Sequence, residues 1–139
     1  MAWVITKEFE APKLPYTINL HAIADMQIGS EISYWPYLRQ KFNEIAADPN
    51  AAVVILGDIE DDDRPSTRAM RKTAFAGRPE VLAKMARDHR AYLDKEVIPA
   101  LTPLLKVKHG VLGVLRGHHW YDLTPSNNDI PLTSTEYIC

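Results

Sequence analysis

Three short stretches hold the residues on which chemistry could be built. "IADMQIGS" (23–30) carries Asp25 and Gln27, "ILGDIEDDD" (55–63) carries Asp58 and Asp61, and "LRGHHW" (115–120) carries His118 and His119. Carboxylate and amide oxygens are donors for divalent cations, and imidazole adds a neutral nitrogen ligand or a general acid near neutral pH. Each stretch taken alone has a plainer reading: an aspartate that starts a turn, a solvated acidic run, a polar loop. Asp58 differs from the acids after it because it directly follows an apolar run, where an unpaired carboxylate is costly and a cation would offset the cost. Glu60, Asp62 and Asp63 are expected to lie mostly in solvent.

The elements around these stretches are legible from periodicity. "YTINLHAIAD" (16–25) alternates, with Tyr16, Ile18, Leu20, Ala22 and Ala24 on one face. "AAVVILGD" (51–58) is a continuous apolar run, the pattern of a strand covered on both sides. "HGVLGVLRG" (109–117) is aliphatic and β-branched, with Gly110 and Gly113 inside it. Between them, Trp35, Leu38, Phe42 and Ile45 predict a helix over 33–47, with Pro36 tolerated in its first turn and Asp48, Pro49 and Asn50 ending it. A second helical pattern runs from Pro79 through Leu82, Met85, Leu93 and Val97, and Pro99 and Pro103 should kink or break it. The stretch 59–78 reads as a polar, basic loop with a short helix after Ser66, and "NDIPLTSTEYIC" (128–139) as a helix start capped near Ser134. Strands alternating with helices imply an α/β fold, a mostly parallel sheet flanked by helices, in a single domain over 1–139. In such sheets ligands bind beyond the carboxyl ends of the strands. All three strands end there in metal-capable groups, so Asp25, Gln27, Asp58, Asp61, His118 and His119 should converge.

The remaining candidates are weaker. His21 reads as a satisfied strand histidine, His89 falls on the Leu82–Met85–Leu93 stripe and reads as packing or interface, and His109 is expected to be exposed. Arg64, Arg68, Arg71 and Lys72 follow the acids. Arg68 and Arg71 share a helical face, suited either to phosphate capture or to balancing the acidic run. With 139 residues, 46% hydrophobic and 24% charged, the composition is that of one ordinary globular domain. A formal net charge of −2 gives no bulk pull toward nucleic acid. The lone cysteine, Cys139, excludes a disulfide within the chain and points to a reducing, cytoplasmic setting. No signal peptide and no membrane-spanning run is legible.

Together the three motifs resemble the calcineurin-like metallophosphoesterases, which carry Asp-x-His, Gly-Asp-x-x-Asp and Gly-Asn-His-Glu/Asp at successive strand ends. The matching segments are "DMQ" (25–27), "GDIED" (57–61) and "GHHW" (117–120). "GDIEDDDRPSTR" followed by "GHHW" is similar to the branch of that superfamily found in phage and metagenomic sequences. The resemblance covers the chain from about residue 16 onward. It implies the front half of an αββα sandwich and a site with two divalent ions, Mn, Fe, Zn or Co. Asp58 would bridge the ions, with Asp25 and Gln27 on the first and His118, in the family's Asn position, on the second. His119 would face the substrate phosphate and protonate the leaving group, and Arg64 and Arg68 would help bind substrate. The implied reaction is metal-dependent hydrolysis of a phosphomonoester or phosphodiester, with nucleotide or nucleic acid as candidate substrates. Two residues depart from the pattern. Gln27 replaces a histidine and is a weaker donor, and Trp120 replaces the acid that steadies the histidine, so His119 needs another partner. The family draws further histidine ligands from a second half. This chain is therefore expected to resemble the N-terminal portion, to bind metal weakly alone, and to take the rest from a longer product or a second chain. The competing expectation is a non-catalytic member that keeps the fold as a binding module.

Overall fold

A computed structural model describes residues 8–9, 13, 15–31, 33–61, 65–124 and 132–139. Strands β1 (Asn19–Ile23), β2 (Ala51–Ile55) and β3 (Val111–Val114) form one parallel sheet in the order β1-β2-β3. This is the α/β architecture that the sequence predicts. Each strand is shorter than its apolar run, because the chain leaves the ladder for the loops that carry the candidate ligands.

Helix α1 (Trp35–Ala47) connects β1 to β2. The return to β3 is a long helical path: α2 (Pro65–Ala74), α3 (Pro79–Tyr92), a π-helical turn at Leu93–Val97, α4 (Ile98–Leu101) and a 3₁₀ segment at Thr102–Lys106. The strand order advances in one direction, so two right-handed crossovers put their helices on the same face. The core lies there, where Ile23, Val53, Ile55, Val111 and Val114 meet Phe42, Leu93, Val97, Leu101 and Leu104.

The face assigned to β1 needs correction. Leu20 is 61% exposed and Ala22 is exposed, whereas Ile23 packs on the core. Register pairs Leu20 with Ala52 and Ala22 with Val54, on the side away from the helices, while Ile23 pairs with Ile55. Apolar residues occupy both phases of this stretch, so alternation alone does not choose the buried one.

Pro99 and Pro103 interrupt the second helix as expected: it passes from α to a π-helical turn ahead of Pro99 and to 3₁₀ at Pro103. They start new segments, each in a first turn where the missing N–H goes unneeded, and Pro36 and Pro79 do the same. Ahead of Pro99 the helix widens, with the N–H of Ile98 reaching back five residues to the carbonyl of Leu93. Helix α2 begins at Pro65 and runs ten residues, so it is longer than the short helix expected after Ser66. The last helix, α5 (Ser134–Ile138), is capped by Thr133, one residue before the expected cap, through a reciprocal box with Glu136. Ser134 is instead buried, and its Oγ accepts the N–H of Tyr121 at 2.8 Å. Among the described residues no helix is long and apolar enough to cross a membrane.

Candidate site at the carboxyl ends of the strands

The loops that leave the sheet stay paired. Gln27 donates its N–H to the Asp58 carbonyl at 3.1 Å, Ile28 donates to Ile59 at 2.9 Å, and Asp61 donates to Ile28 at 3.3 Å. The loops after β1 and β2 therefore extend the ladder and hold their residues at a fixed register. Three residues along this extension have left-handed backbone: Asp25 (φ 48°), Gln27 (φ 44°) and Asp58 (φ 48°).

The loop after β3 closes on Asp58. A methyl group built on Gly117 would lie 1.9 Å from Asp58 Oδ1 and 2.3 Å from its backbone N, and one built on Gly57 would lie 2.5 Å from the Gly117 N. Only glycine at both positions lets the two segments meet. The Asp58 carboxylate, 8% exposed, is then held at both oxygens: Oδ1 accepts the His119 backbone N–H at 2.9 Å, and Oδ2 lies 2.9 Å from His118 Nδ1. The two imidazoles stand edge to face, with ring centroids 4.3 Å apart. His118 is the outer ring, 66% exposed, and His119 is buried. His119 Nδ1 lies 3.5 Å from Asp61 Oδ1, which puts a carboxylate beside the ring where Trp120 supplies none.

Trp120 has a different task. Its ring lies under the Arg68 guanidinium at 3.8 Å and near that of Arg116 at 5.0 Å. Arg68 Nη1 donates to the carbonyls of His118 at 3.1 Å and Trp120 at 2.8 Å. One turn along α2, Arg71 lies 3.8 Å over the Tyr121 ring, and Lys72 pairs with Asp122 at 2.6 Å. Read from sequence as phosphate-capturing, Arg68 thus pins the histidine loop to α2. Arg64, the other predicted substrate contact, lies outside the described residues, as do Asp62 and Asp63.

Glu60 overturns the expectation of a solvated acid. It is 2% exposed, its Oε2 accepts from His89 Nε2 at 3.0 Å, and its Oε1 is buried without a hydrogen-bond partner. His89 stacks on Tyr121 at 4.1 Å and 10°. The helical stripe predicts the partial burial of His89 but not its partner. Ile59 and Glu60 are both buried, so alternation along this stretch would not have revealed the inward turn of Glu60. The other histidines also depart from expectation. His21 Nε2 is buried without a hydrogen bond, 3.6 Å from Asp48 Oδ2, and His109 is half-buried with its Nε2 2.8 Å from the Tyr16 hydroxyl.

The fold thus brings Gln27, Asp58, Asp61, His118 and His119 to one rim. Asp25 begins the same loop with an exposed side chain. Oxygen donors with an imidazole are a fitting set for divalent cations. As the side chains stand, Asp58 and His118 engage each other, and among the described residues no three His, Cys, Asp or Glu side chains already face one another as a metal cage. Against protein-family models, curated proteins and solved structures the chain finds no match.

Proposed function

We propose that the rim is a metal-dependent phosphoester-hydrolysing centre. The observation that supports this most is where the backbone is strained. Among the described residues, Asp25, Gln27 and Asp58 are the only non-glycine residues with positive φ, and all three are positions whose chemistry and spacing mark them as ligands. Left-handed backbone costs about 1–2 kcal/mol for a residue with a Cβ, and such strain clusters at functional sites, where surrounding structure over-determines it. Gln27 is the most telling, because aspartate tolerates this region better than most residues do.

On this reading Asp25, Gln27, Asp58 and His118 hold divalent cations of the Mn, Fe, Zn or Co type, which when bound polarise the phosphoester and offset charge developing on its oxygens. Asp58 enters with one oxygen already fixed by the His119 N–H. His118 is the exposed side chain, free to rotate without disturbing the core. His119 supplies the leaving-group proton, its ring oriented by Asp61. Arg68 fixes the loop that carries both histidines and acts as a positioning residue.

The test is metal content together with hydrolysis of bis(p-nitrophenyl) phosphate and p-nitrophenyl phosphate under excess Mn²⁺. Saturable metal uptake and metal-dependent hydrolysis, both lost in Asp58→Asn, are expected. A steep fall in activity with salt on an oligonucleotide would assign a polyanionic substrate. A second reading, a fold retained as a binding module, is favoured by the two oxygens of Asp58 being satisfied already within the chain. Wild type that takes up no metal even in excess would replace the first reading with the second.

A further inference from the structure

A second concavity lies beside the rim and has no part in the proposed hydrolysis. It is a cleft of about 800 Å³ between the start of α1, the loop after β1 and the path from the π-helical turn to the 3₁₀ segment. Its floor is tightly built. The Tyr92 hydroxyl donates to the Ile28 carbonyl at 3.0 Å, and Gly29, at φ 97°, lies so close that a Cβ there would sit 2.2 Å from that hydroxyl. Trp35 stands at the α1 side, edge to face with the buried Phe42.

The cleft wall is cationic. Arg39 comes from α1, Lys95 from the π-helical turn and Lys106 from the 3₁₀ segment; among the described residues the only acid lining it is Glu96, whose Oε1 lies 4.0 Å from Lys95 Nζ, so the cations still outnumber it by two. Three separate elements thus deliver positive charge to one hollow in a chain whose net charge is −2. Scattered surface lysines have no reason to meet in a concavity. The π-helical turn adds an independent pointer, since such turns are uncommon and recur at functional sites. It places both Lys95 and Glu96 on the cleft. The volume is that of a small-molecule site, larger than a lone inorganic ion needs.

We infer that this cleft binds an oligophosphate ligand of nucleotide size. Multiple cations on different elements match a ligand with two or more negative charges along its length, and Trp35 and Tyr92 offer aromatic surface to its uncharged part. The site does not depend on metal at the rim, and its test keeps the two apart.

ADP, pyrophosphate and adenosine are titrated calorimetrically into the full chain in EDTA. ADP and pyrophosphate should each bind at one equivalent with a dissociation constant below about 1 mM, weakening as salt rises. The Arg39→Glu/Lys106→Glu double variant, which changes exposed side chains and should melt like wild type, should bind at least about tenfold more weakly. His118→Ala should bind as wild type does. Any of three results overturns the assignment: no binding of ADP, adenosine binding as tightly as ADP, or a loss in His118→Ala equal to that in the double variant. If the double variant were to melt early, Lys95→Glu alone carries the same expectation of weakened binding, and unchanged affinity there overturns it too.

Discussion

The rim and the cleft border the same few residues, yet they are built in opposite ways. On one side of the segment 27–30, Gln27 and Ile28 hydrogen-bond to Asp58 and Ile59, and Gly57 and Gly117 let backbone meet backbone with no room for a methyl group. On the other side, Ile28, Gly29 and Ser30 open onto about 800 Å³ of space. The rim carries carboxylates and imidazoles in fixed, strained geometry. The cleft carries long cationic side chains that reach in from separate elements. A centre that depends on atom positions must be braced by the fold, whereas one that depends on a field need only gather charge. Substitutions at the rim should therefore damage folding as well as function, and those of the cleft's cationic side chains, Arg39, Lys95 and Lys106, should change binding alone.

The largest expected effect is at the junction itself. Gly117→Ala drives a methyl into Asp58 from 1.9 Å, against a backbone that cannot retreat, and should cost at least about 4 kcal/mol in urea unfolding. Gly77, with nothing within 4 Å of an added Cβ, is the matched control, and Gly77→Ala should stay within about 0.5 kcal/mol. A Gly117→Ala protein as stable as Gly77→Ala would break the distinction between braced rim and open surface. Next comes the buried pair behind the rim. His89→Ala leaves the Glu60 carboxylate, 2% exposed, without its one partner among the described residues, and should cost about 3 kcal/mol. The double variant Glu60→Leu/His89→Leu should recover part of that, because no orphaned charge remains. If the double were worse than the single, the pair would be stabilising in its own right.

Sequence patterns revealed this bracing unevenly. The three strands, α1 and the convergence of three strand-end motifs follow from hydrophobic runs and the topology rule for parallel sheets, which act over short range. The face of β1 did not follow, since Leu20, Ala22 and Ile23 are all apolar and only the positions of the helices decide between them. The roles of Arg68 and Glu60 were hidden for a related reason. Each is set by a partner far along the chain, the carbonyls of His118 and Trp120 for one and His89 for the other, and no local pattern encodes such a partner. Trp120 looked like a defect in the motif. In the fold its ring takes the Arg68 guanidinium at 3.8 Å, and Asp61, two residues into the acidic run after Gly-Asp-Ile, stands 3.5 Å from His119 in its place.

That replacement gives the next test. Arg68→Ala removes a stacked guanidinium and two hydrogen bonds to the histidine loop, and should cost about 1–2 kcal/mol. It should also redshift and broaden the Trp120 emission, a change that loss of a solvated surface charge would not cause. Arg68→Lys keeps the charge but loses the planar fork, so it should recover less than half of the stability. Full recovery by lysine would mean that charge alone holds the loop, and that Arg68 remains available for the phosphate contact read from sequence.

The smallest expected effect lies one residue beyond this stack, at Asp122. Burial raises its carboxyl pKa, but the Lys72 ammonium at 2.6 Å and hydrogen bonds from Thr124 outweigh burial and hold it below the usual carboxylate range. A folded-state pKa below the unfolded one means stability that is present above the unfolded value, about 3.9, and lost as pH falls through the folded value. Lys72 is largely exposed, so solvent screening keeps the gain under about 1 kcal/mol. Asp122→Asn should accordingly melt slightly below wild type at neutral pH, and the two curves should converge as pH drops below the carboxylate range. A gap that persists in acid, where neither side chain is charged and both can still accept the Thr124 N–H, would show that the amide disturbs the loop by something other than lost charge. The Lys72 pair would then brace the rim through something other than charge, and of the described contacts from α2 those of Arg68 and Arg71 would carry the cationic share.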